Sequence, residues 1–161
     1  MQERRTVAPL TAARARRVVY ALAAVVVVAD VVVTTLALHH LHRNVHVWGP
    51  FGLSLSFNSG FAFSLFSGRA VAVSVLLCFG VALLAVVVGR ARTVPQAVGG
   101  GLILGGALGN LGERLFGGHD GRVPDFITLT HWPTFNVADA CITLGAVVMI
   151  VSLLFARPAA T

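Results

Sequence analysis

The sequence contains no lysine, and only six of its 161 residues are acidic. Charged residues make up 11% of the chain, whereas soluble domains carry roughly a quarter. This shortage excludes an ordinary soluble domain. The net charge of +6 comes from arginines that follow no single helix face interleaved with aromatic residues, so it does not indicate a nucleic-acid-binding surface. We interpret the chain as membrane-embedded and expect no nucleic-acid partner.

Cysteine and the common catalytic motifs are also scarce. The only two cysteines, Cys78 and Cys141, lie within apolar runs, which indicates small apolar residues rather than a disulfide framework or a zinc site. The sequence has no H-E-x-x-H, no G-x-S-x-G and no phosphate-binding loop. The "HHLH" stretch at 39–42 has spacing compatible with a metal but no convincing further ligands. We expect neither a metal nor another cofactor.

Long apolar runs are what the sequence has in abundance. Hydrophobic residues make up 57% of it, and its mean hydropathy is +0.86. A helix needs about 20 largely apolar residues to cross a bilayer, and the first run is too long for a cleaved signal peptide. Four segments meet the requirement: residues 18–38, 70–89, 94–115 and 137–156. We predict an all-α polytopic membrane protein in which residues 1–161 form one domain, a four-transmembrane-helix bundle.

The arginines predict how this bundle is oriented. Eight of the twelve lie on one side of the predicted spans: Arg4, Arg5, Arg14, Arg16, Arg17, Arg90, Arg92 and Arg157. Arginine-rich segments stay in the cytoplasm. Both termini are therefore expected there, with a basic tail over residues 1–17. Two longer loops, at about 39–69 and 116–136, are expected to face outward, and they contain all six histidines.

One outer loop also contains a strand pattern. In "GLSLSFN", Leu53, Leu55 and Phe57 alternate with polar residues, and this period of two predicts a half-buried strand that ends near Asn58. We therefore expect a small sheet on the outer membrane surface.

Polar residues within or near the spans are costly and need a reason. Asp30 interrupts the outer half of the first span, either as a functional group or as a hydrogen-bonding partner of a neighbouring helix. Asn110 and Arg114 share a helix face and can together hold a peptide carbonyl or a carboxylate, unless Arg114 only extends to the membrane interface. The neighbouring glycines are expected to allow close helix packing: Gly105, Gly106 and Gly109.

Two aspartates lie near the last span. Asn136 is a good N-cap, and Asp139 in the first helical turn is favoured by the helix dipole, so capping alone would explain Asp139. Capping does not explain Asp125, which follows Pro124. Two carboxylates at one membrane-surface site suggest an aspartyl dyad that shares a proton. The ionised carboxylate would activate water while the protonated one polarises the scissile carbonyl.

Two other functions remain open on the residues alone. In a small proton- or ion-coupled transporter, Asp30 and Asp139 would relay charge, although the sequence has no detectable inverted repeat. In a non-catalytic membrane protein, the polar residues would only hold helices together. That alternative gives no reason for Asp125 and Asp139 to converge.

Four segments resemble, in order and spacing, the motifs of the lipoprotein signal peptidase family, also called signal peptidase II. They are "NSGFAF" (58–63), "GGALGNLGER" (105–114), "GRVPDFI" (121–127) and "FNVADA" (135–140), and the likeness covers about residues 20–155. The resemblance implies an aspartyl endopeptidase of the bacterial inner membrane, with four transmembrane helices and a small extracytoplasmic β-cradle. Such enzymes remove signal peptides from diacylglyceryl-modified prolipoproteins, cleaving just before the lipidated cysteine. We expect a monomer whose partners are these substrates and membrane lipids.

The resemblance also implies roles for individual residues. Asp125 and Asp139 would be the catalytic dyad, and Asp30 would be a structural or supporting group. Four further residues would line the site and position the substrate: Asn58, Asn110, Arg114 and Asn136. The sequence departs from the usual motifs at three positions: Val31, Thr34 and Glu113.

Overall fold

The computed structural model describes residues 11–59 and 70–155 of the chain. Its elements, in order, are α1 (Ala12–His40), β1 (Val45–Trp48), β2 (Phe51–Asn58), α2 (Ala70–Val88), α3 (Val94–Phe116), β3 (Val123–Leu129), β4 (Trp132–Phe135) and α4 (Val137–Leu154). The four helices lie over the four apolar segments of the sequence. Some predictions concern residues outside the described part: residues 1–10 of the basic tail, residues 60–69 of the first outer loop and its "GFAF" motif, and residues 156 and 157.

Polar residues determine where these helices begin. The Thr11 side chain accepts a hydrogen bond from the backbone N–H of Arg14 at 3.3 Å. Thr93 accepts from that of Gln96 at 3.4 Å, and Pro95 occupies the first turn of the same helix. Both arrangements satisfy amides that have no partner within the helix. Helices α1 and α3 therefore each begin at the residue after the cap.

Helix α3 lies between α1 and α4, and glycines bring the three backbones close together. A Cβ on Gly105 would come within 2.6 Å of a side chain of α1, and a Cβ on Gly109 would lie 2.7 Å from an oxygen of Asp30. A Cβ on Gly106 would collide with the carbonyl oxygen of Ala138 in α4. These glycines therefore pack helices, as the sequence predicts.

Two of the described helices, α1 and α4, are long and apolar enough to cross a membrane. Both expose large apolar side chains, including Val25 and Val28 on α1 and Leu144 and Ile150 on α4. Apolar surface of this extent suits contact with lipid rather than water. That all four helices cross the membrane is part of the proposal made below.

A four-stranded antiparallel sheet is built from the two predicted outer loops. Its strands follow the chain order β1-β2-β3-β4, so that the hairpin β1–β2 pairs with the hairpin β3–β4 through β2 and β3. Only short links separate this sheet from the long helices, because β1 begins five residues after α1 ends and β4 ends two residues before α4 begins. The sheet is thereby held at one end of the bundle.

Strand β2 covers the predicted "GLSLSFN" segment, but its alternation is interrupted by a β-bulge. Leu53 lies opposite Ile127, whereas Ser56 lies opposite Asp125, so β2 has one residue more than β3 in this interval. A bulge changes which residues share a face of the sheet. Leu53 and Ser56 are therefore on the same face as Asp125, which a strict period of two does not allow.

Candidate active site

Asp125 lies on β3, where the sheet meets the helices, and only 2% of it is exposed. The side-chain amide of Asn58, at the end of β2, donates to its Oδ2 at 2.9 Å. The side-chain amide of Asn136 donates to its Oδ1 at 2.9 Å. The buried carboxyl is thus held from two sides by amide groups. The resemblance implied that Asn58 lines the site, and the structure shows its hydrogen bond to Asp125.

Asp139 lies in the first turn of α4 and is half-buried. Its Oδ1 accepts from the side-chain amide of Asn110 at 2.8 Å, and its Oδ2 accepts from the backbone N–H of Asn136 at 3.5 Å. The side chain of Asn136 in turn accepts from the backbone N–H of Asp139 at 2.8 Å, which completes a capping box. Asp139 therefore caps the helix and also lies in the cluster that contains Asp125.

Asn136 connects the two aspartates. Its amide group donates to Asp125 and also to the side-chain oxygen of Asn110 at 3.1 Å. Its side-chain oxygen accepts from Asp139, as described above. Because the side chain is 1% exposed and every polar atom has a partner, its orientation is determined. Asp125, Asp139, Asn110 and Asn136 form one hydrogen-bonded network.

Arg114 lies one turn beyond Asn110 on α3, at the spacing noted in the sequence. Its Nη1 donates to the backbone oxygen of Asn110 at 3.1 Å. Within the part of the chain that the structure describes, no carboxylate lies within 4.0 Å of this guanidinium. Its positive charge nevertheless acts on Asp125 from a distance. The guanidinium is near the two aspartates without being neutralised by a direct ion pair.

Asp30 is placed differently from the other candidate residues. It is 1% exposed within α1, and its Oδ1 accepts from the backbone N–H of Ala138 at 2.9 Å. This N–H belongs to the first turn of α4 and has no partner within the helix. Asp30 therefore supports the start of the helix that carries Asp139. This hydrogen bond is to the neighbouring helix, which was one of the two roles left open by the sequence.

Burial dominates the electrostatics of Asp125. All surrounding groups together raise the pKa of this carboxyl from 3.8 to about 6, and burial is the largest cause. The hydrogen bond from Asn58 acts in the opposite direction, the negative charge of Asp139 raises the pKa further, and Asn136 and Arg114 lower it. A carboxyl with such a pKa can both hold and release a proton near neutral pH.

Sequence reasoning missed three features of this region. It did not identify the Ala138 amide that Asp30 binds, or Ser56, which faces Asp125 across the sheet because of the bulge. It also did not single out Glu113 Oε2 and His119 Nδ1, two buried atoms without a hydrogen-bond partner among the described residues. The His119 ring lies beside Phe57, with ring centroids 5.0 Å apart. Only the departure at Glu113 was a signal available in the sequence.

The structure also contains an apolar cavity of about 410 Å³. It is formed between the last turns of α1 and the sheet: Val33, Leu36, Ala37, His40, Leu41, Leu53 and Phe126. Phe126 directly follows Asp125 in β3. An apolar group can therefore be accommodated beside Phe126.

The sequence matches known proteins over most of its length. A family model described as signal peptidase (SPase) II matches residues 22–155. A lipoprotein signal peptidase of Rhodococcus jostii is 38% identical over 150 residues, which cover 89% of this chain and 75% of that protein. A lipoprotein signal peptidase of Francisella tularensis subsp. novicida is 34% identical, over 86% of this chain and 92% of that protein. One of Mycobacterium leprae is 37% identical, over 88% of this chain and 74% of that protein.

The fold also matches solved structures. One bacterial membrane enzyme superimposes with a TM-score of 0.73 at 25% identity, covering 84% of this chain and 92% of that one. A second superimposes with a TM-score of 0.65 at 22% identity, over 87% and 92% of the respective chains. The bundle with its small sheet is therefore an architecture already seen in bacterial membrane enzymes.

Proposed function

This chain belongs to the signal peptidase II family of bacterial membrane peptidases, and we propose that it is an aspartyl endopeptidase acting on diacylglyceryl-modified prolipoproteins. It removes their signal peptides by cleaving just before the lipidated cysteine. Asp125 and Asp139 are the catalytic dyad. The proposal needs no cofactor, because two carboxyl groups can supply both the general base and the general acid.

The observation that carries this proposal is the position of Asn136 between the two aspartates. One small side chain donates to Asp125 at 2.9 Å and accepts from the backbone of Asp139 at 2.8 Å. Asp125 comes from a strand and Asp139 from a helix, so a purely structural cap for α4 does not require Asp125 to be there. A site that needs two carboxyl groups in a defined arrangement does require it.

The proposed reaction uses the two carboxyl groups in turn. The ionised carboxylate takes a proton from water as the water oxygen attacks the scissile carbonyl carbon, and the protonated carboxyl gives its proton to the carbonyl oxygen. When the resulting tetrahedral intermediate collapses, the carbon–nitrogen bond breaks and the nitrogen of the lipidated cysteine receives a proton from the dyad. The signal peptide leaves with a new carboxyl end. The raised pKa of Asp125 suits this exchange.

Four polar residues around the dyad position the substrate in this proposal. Asn110 and Asn136 hold the carboxyl groups, and Asn58 holds Asp125 from the strand side. Arg114 has donors left for a substrate carbonyl, because a guanidinium carries five and one is used within α3. Asp30 keeps the start of α4 in place. The apolar cavity beside Phe126 offers room for part of the lipid or of the apolar signal segment.

We further propose a multi-pass arrangement in the cytoplasmic membrane with four spans, near residues 18–38, 70–89, 94–115 and 137–156. Both termini lie in the cytoplasm, and the sheet and the dyad face the outer side, where lipoprotein precursors emerge. The arginine distribution supports this orientation. The chain is proposed to work as a monomer, since the described dyad is formed within one chain.

Cleavage of a purified precursor tests the function. The full chain is reconstituted in vesicles with a diacylglyceryl-modified prolipoprotein, and the products are identified by mass spectrometry. We expect cleavage at the bond before the lipidated cysteine, and at least a tenfold slower reaction with the same precursor lacking the lipid, because the lipid supplies binding energy.

The matched variants are Asp125→Asn, Asp139→Asn and Asp120→Asn. Asp120 lies five residues before Asp125, its side chain is 91% exposed, and its only described ion pair is with Arg122 on the surface. The first two variants should not cleave, whereas Asp120→Asn should cleave like the wild type. Normal cleavage by either dyad variant would refute the assignment of the catalytic residues.

A further inference from the structure

A row of large apolar residues crosses all four strands at the end of the sheet farthest from Asp125. Trp48 lies opposite Phe51, Phe51 opposite Leu129, and Leu129 opposite Trp132. Residues directly opposite one another on neighbouring strands share a face of the sheet. The four side chains therefore form one continuous line, which we name the aromatic row.

A second apolar row lies between the aromatic row and the dyad. Val45, Leu53, Ile127 and Phe135 are opposite one another in the same way, and Ile127 lies two residues from Asp125 on the same face of β3. The opposite face carries a different row in the same interval: His46, Gly52 and Thr128. This part of the sheet is thus apolar on one face and polar or small on the other.

The aromatic row contains the most exposed side chains of the apolar face. Trp48 is 75% exposed, Trp132 is 66% exposed and Phe51 is 44% exposed. Trp48 and Trp132 are the only two tryptophans in the sequence, and both are in this row. Tryptophan is enriched where protein meets the headgroup region of a membrane, because its ring is apolar and its N–H is polar.

The hairpin tips that carry this row are held together. The backbone N–H of Thr130, in the turn between β3 and β4, donates to the carbonyl oxygen of Pro50, in the turn between β1 and β2, at 3.1 Å. The Thr130 hydroxyl reaches the same oxygen at 3.5 Å. The two tryptophans therefore move as one unit rather than on separate loops.

The surroundings of the row suit a lipid surface better than another protein surface. Strand β1 follows α1, and strand β4 precedes α4. These are the two described helices that are long and apolar enough to cross a membrane. No acidic residue occurs between Asp30 and Glu113, and Arg43 lies just before β1. A segment without negative charge can approach anionic phospholipid headgroups without electrostatic repulsion.

We propose that the aromatic row inserts into the interface of the outer leaflet and thereby holds the sheet, and with it Asp125, at a set height beside the bilayer. The occupant of this surface is the lipid bilayer itself. The inference rests on the membrane location in the proposed function but not on the proposed reaction. A catalytically inactive variant is expected to insert in the same way.

The intrinsic fluorescence of the chain tests this insertion. Trp48→Phe leaves Trp132 as the single reporter, and Trp132→Phe leaves Trp48. Each full-length variant is reconstituted in vesicles of phosphatidylcholine and phosphatidylglycerol that contain a phospholipid brominated either near the headgroup or near the chain end. We expect both tryptophans to lose emission to the bromolipids, and to lose more with the shallow bromine than with the deep one.

The matched control carries His46→Trp in a chain whose two native tryptophans are replaced by Phe. His46 is on the other face of β1, so this reporter should be quenched by aqueous iodide and little by bromolipid. Quenching of Trp48 and Trp132 by iodide alone would overturn the proposal. So would emission that resists both quenchers and changes with protein density, because a second copy of the chain would then cover the row.

Repeating the measurement with Asp139→Asn separates this proposal from the proposed function. Unchanged quenching in a chain that no longer cleaves supports insertion independently of catalysis. Quenching that disappears together with activity would contradict it.

Discussion

The Asp125 carboxyl is subject to two opposing influences. Burial and the neighbouring charge of Asp139 favour its protonated form, and burial is the larger effect, whereas the amides of Asn58 and Asn136 and the charge of Arg114 favour the ionised form. The result is a pKa of about 6 in the folded protein. In the unfolded chain the ordinary value of 3.8 is expected, so folding and protonation of Asp125 are linked.

This linkage predicts how Asp125→Asn changes stability with pH. A carboxyl whose pKa is raised by folding contributes fully to stability below about pH 4, and this contribution is lost as the pH rises through about 6. As the pH rises from about 4 to about 7, the free energy of unfolding of Asp125→Asn should therefore increase by about 2–3 kcal/mol relative to that of the wild type. Thermal unfolding in detergent at a series of pH values measures the difference.

Asp120→Asn is the control for this measurement, because the Asp120 side chain is 91% exposed and hydrated in both states. The unfolding temperature of Asp120→Asn should differ from that of the wild type by the same amount at every pH. If the unfolding temperature of Asp125→Asn also differs from that of the wild type by the same amount at every pH, burial does not control the protonation of Asp125. Any fixed cost of placing an amide between the donors of Asn58 and Asn136 is independent of pH and does not affect the comparison.

The sequence indicated which polar residues lie together better than which contacts each of them makes. Asp139 was expected to be either a helix cap or a functional carboxylate, and the structure shows the capping contacts together with a hydrogen bond from Asn110. Asn110 and Arg114 share a helix face as predicted, but only the Asn110 side chain bonds to an aspartate. Side-chain contacts of this kind depend on how three helices and a sheet meet, and spacing along one element does not contain that information.

At the scale of elements, the first turn of α4 joins the stability of the helix to the geometry of the site. Asn136 accepts from the backbone of Asp139 as a cap and donates to Asp125 and Asn110 as a bridge. A substitution that keeps only the cap separates the two roles, since serine is a good N-cap but is too short to replace the amide group.

We therefore predict that Asn136→Ser is about 1 kcal/mol more stable than Asn136→Ala, and that both lose at least about tenfold in cleavage rate. Thermal unfolding and cleavage of a lipid-modified precursor provide the two readouts. Equal stability of the two variants would argue against the cap. Full activity of the serine variant would argue against the bridge.

The contact between α3 and α4 sets the position of Asn110 relative to Asp139. Gly106 lies one turn before Asn110, and a Cβ there would collide with the backbone of Ala138. Gly106→Ala is expected to destabilise the protein by about 1–3 kcal/mol, because the two helices must separate. It should also lower activity, because Asn110 would move away from Asp139.

Gly112→Ala is the matched control on the same helix. A Cβ at Gly112 would have no neighbour within 4 Å, so alanine should be neutral or stabilise the helix by up to about 1 kcal/mol. Thermal unfolding of the two variants compares them directly. A Gly106→Ala variant as stable as Gly112→Ala would contradict the close approach of α3 and α4.

The sequence predicts the presence of a strand but not how that strand pairs with its neighbours. The alternation in "GLSLSFN" predicted a strand, and β2 is present over this segment. The bulge that brings Ser56 opposite Asp125 was not predictable, because a bulge depends on the partner strand, which comes from a loop 60 or more residues later. The same holds for the aromatic row, whose two halves come from distant hairpins and are adjacent only through the pairing of β2 with β3.

At the scale of the whole molecule, hydropathy was sufficient to locate the four helices. Each long apolar run became a helix whose ends lie within a few residues of the predicted span, except that α1 begins earlier, at Ala12. The order of the strands and the packing of α3 between α1 and α4 did not follow from hydropathy. They follow from the glycines of α3 and from the pairing of two distant hairpins.

The proposed orientation predicts which residues can be labelled from outside the cell. With both native cysteines replaced by serine, Asp120→Cys, in the second outer loop, should react with a membrane-impermeant maleimide on intact cells, because the Asp120 side chain is 91% exposed. Arg92→Cys, in the exposed turn between α2 and α3, should react only after lysis. The opposite labelling pattern would show that the sheet and the dyad face the cytoplasm.

The measurement that tests the dyad most directly is a double-mutant cycle on single-turnover cleavage. It compares the wild type, Asp125→Asn, Asp139→Asn and the double variant on one diacylglyceryl-modified precursor, with Asp120→Asn as the surface control. We predict that each single variant loses about 10²–10⁴-fold or more in rate, and that the double variant is no slower than the single variants, because the two groups act as a unit. Losses that multiply in the double variant, or near-normal cleavage by either single variant, would contradict a shared catalytic role for Asp125 and Asp139.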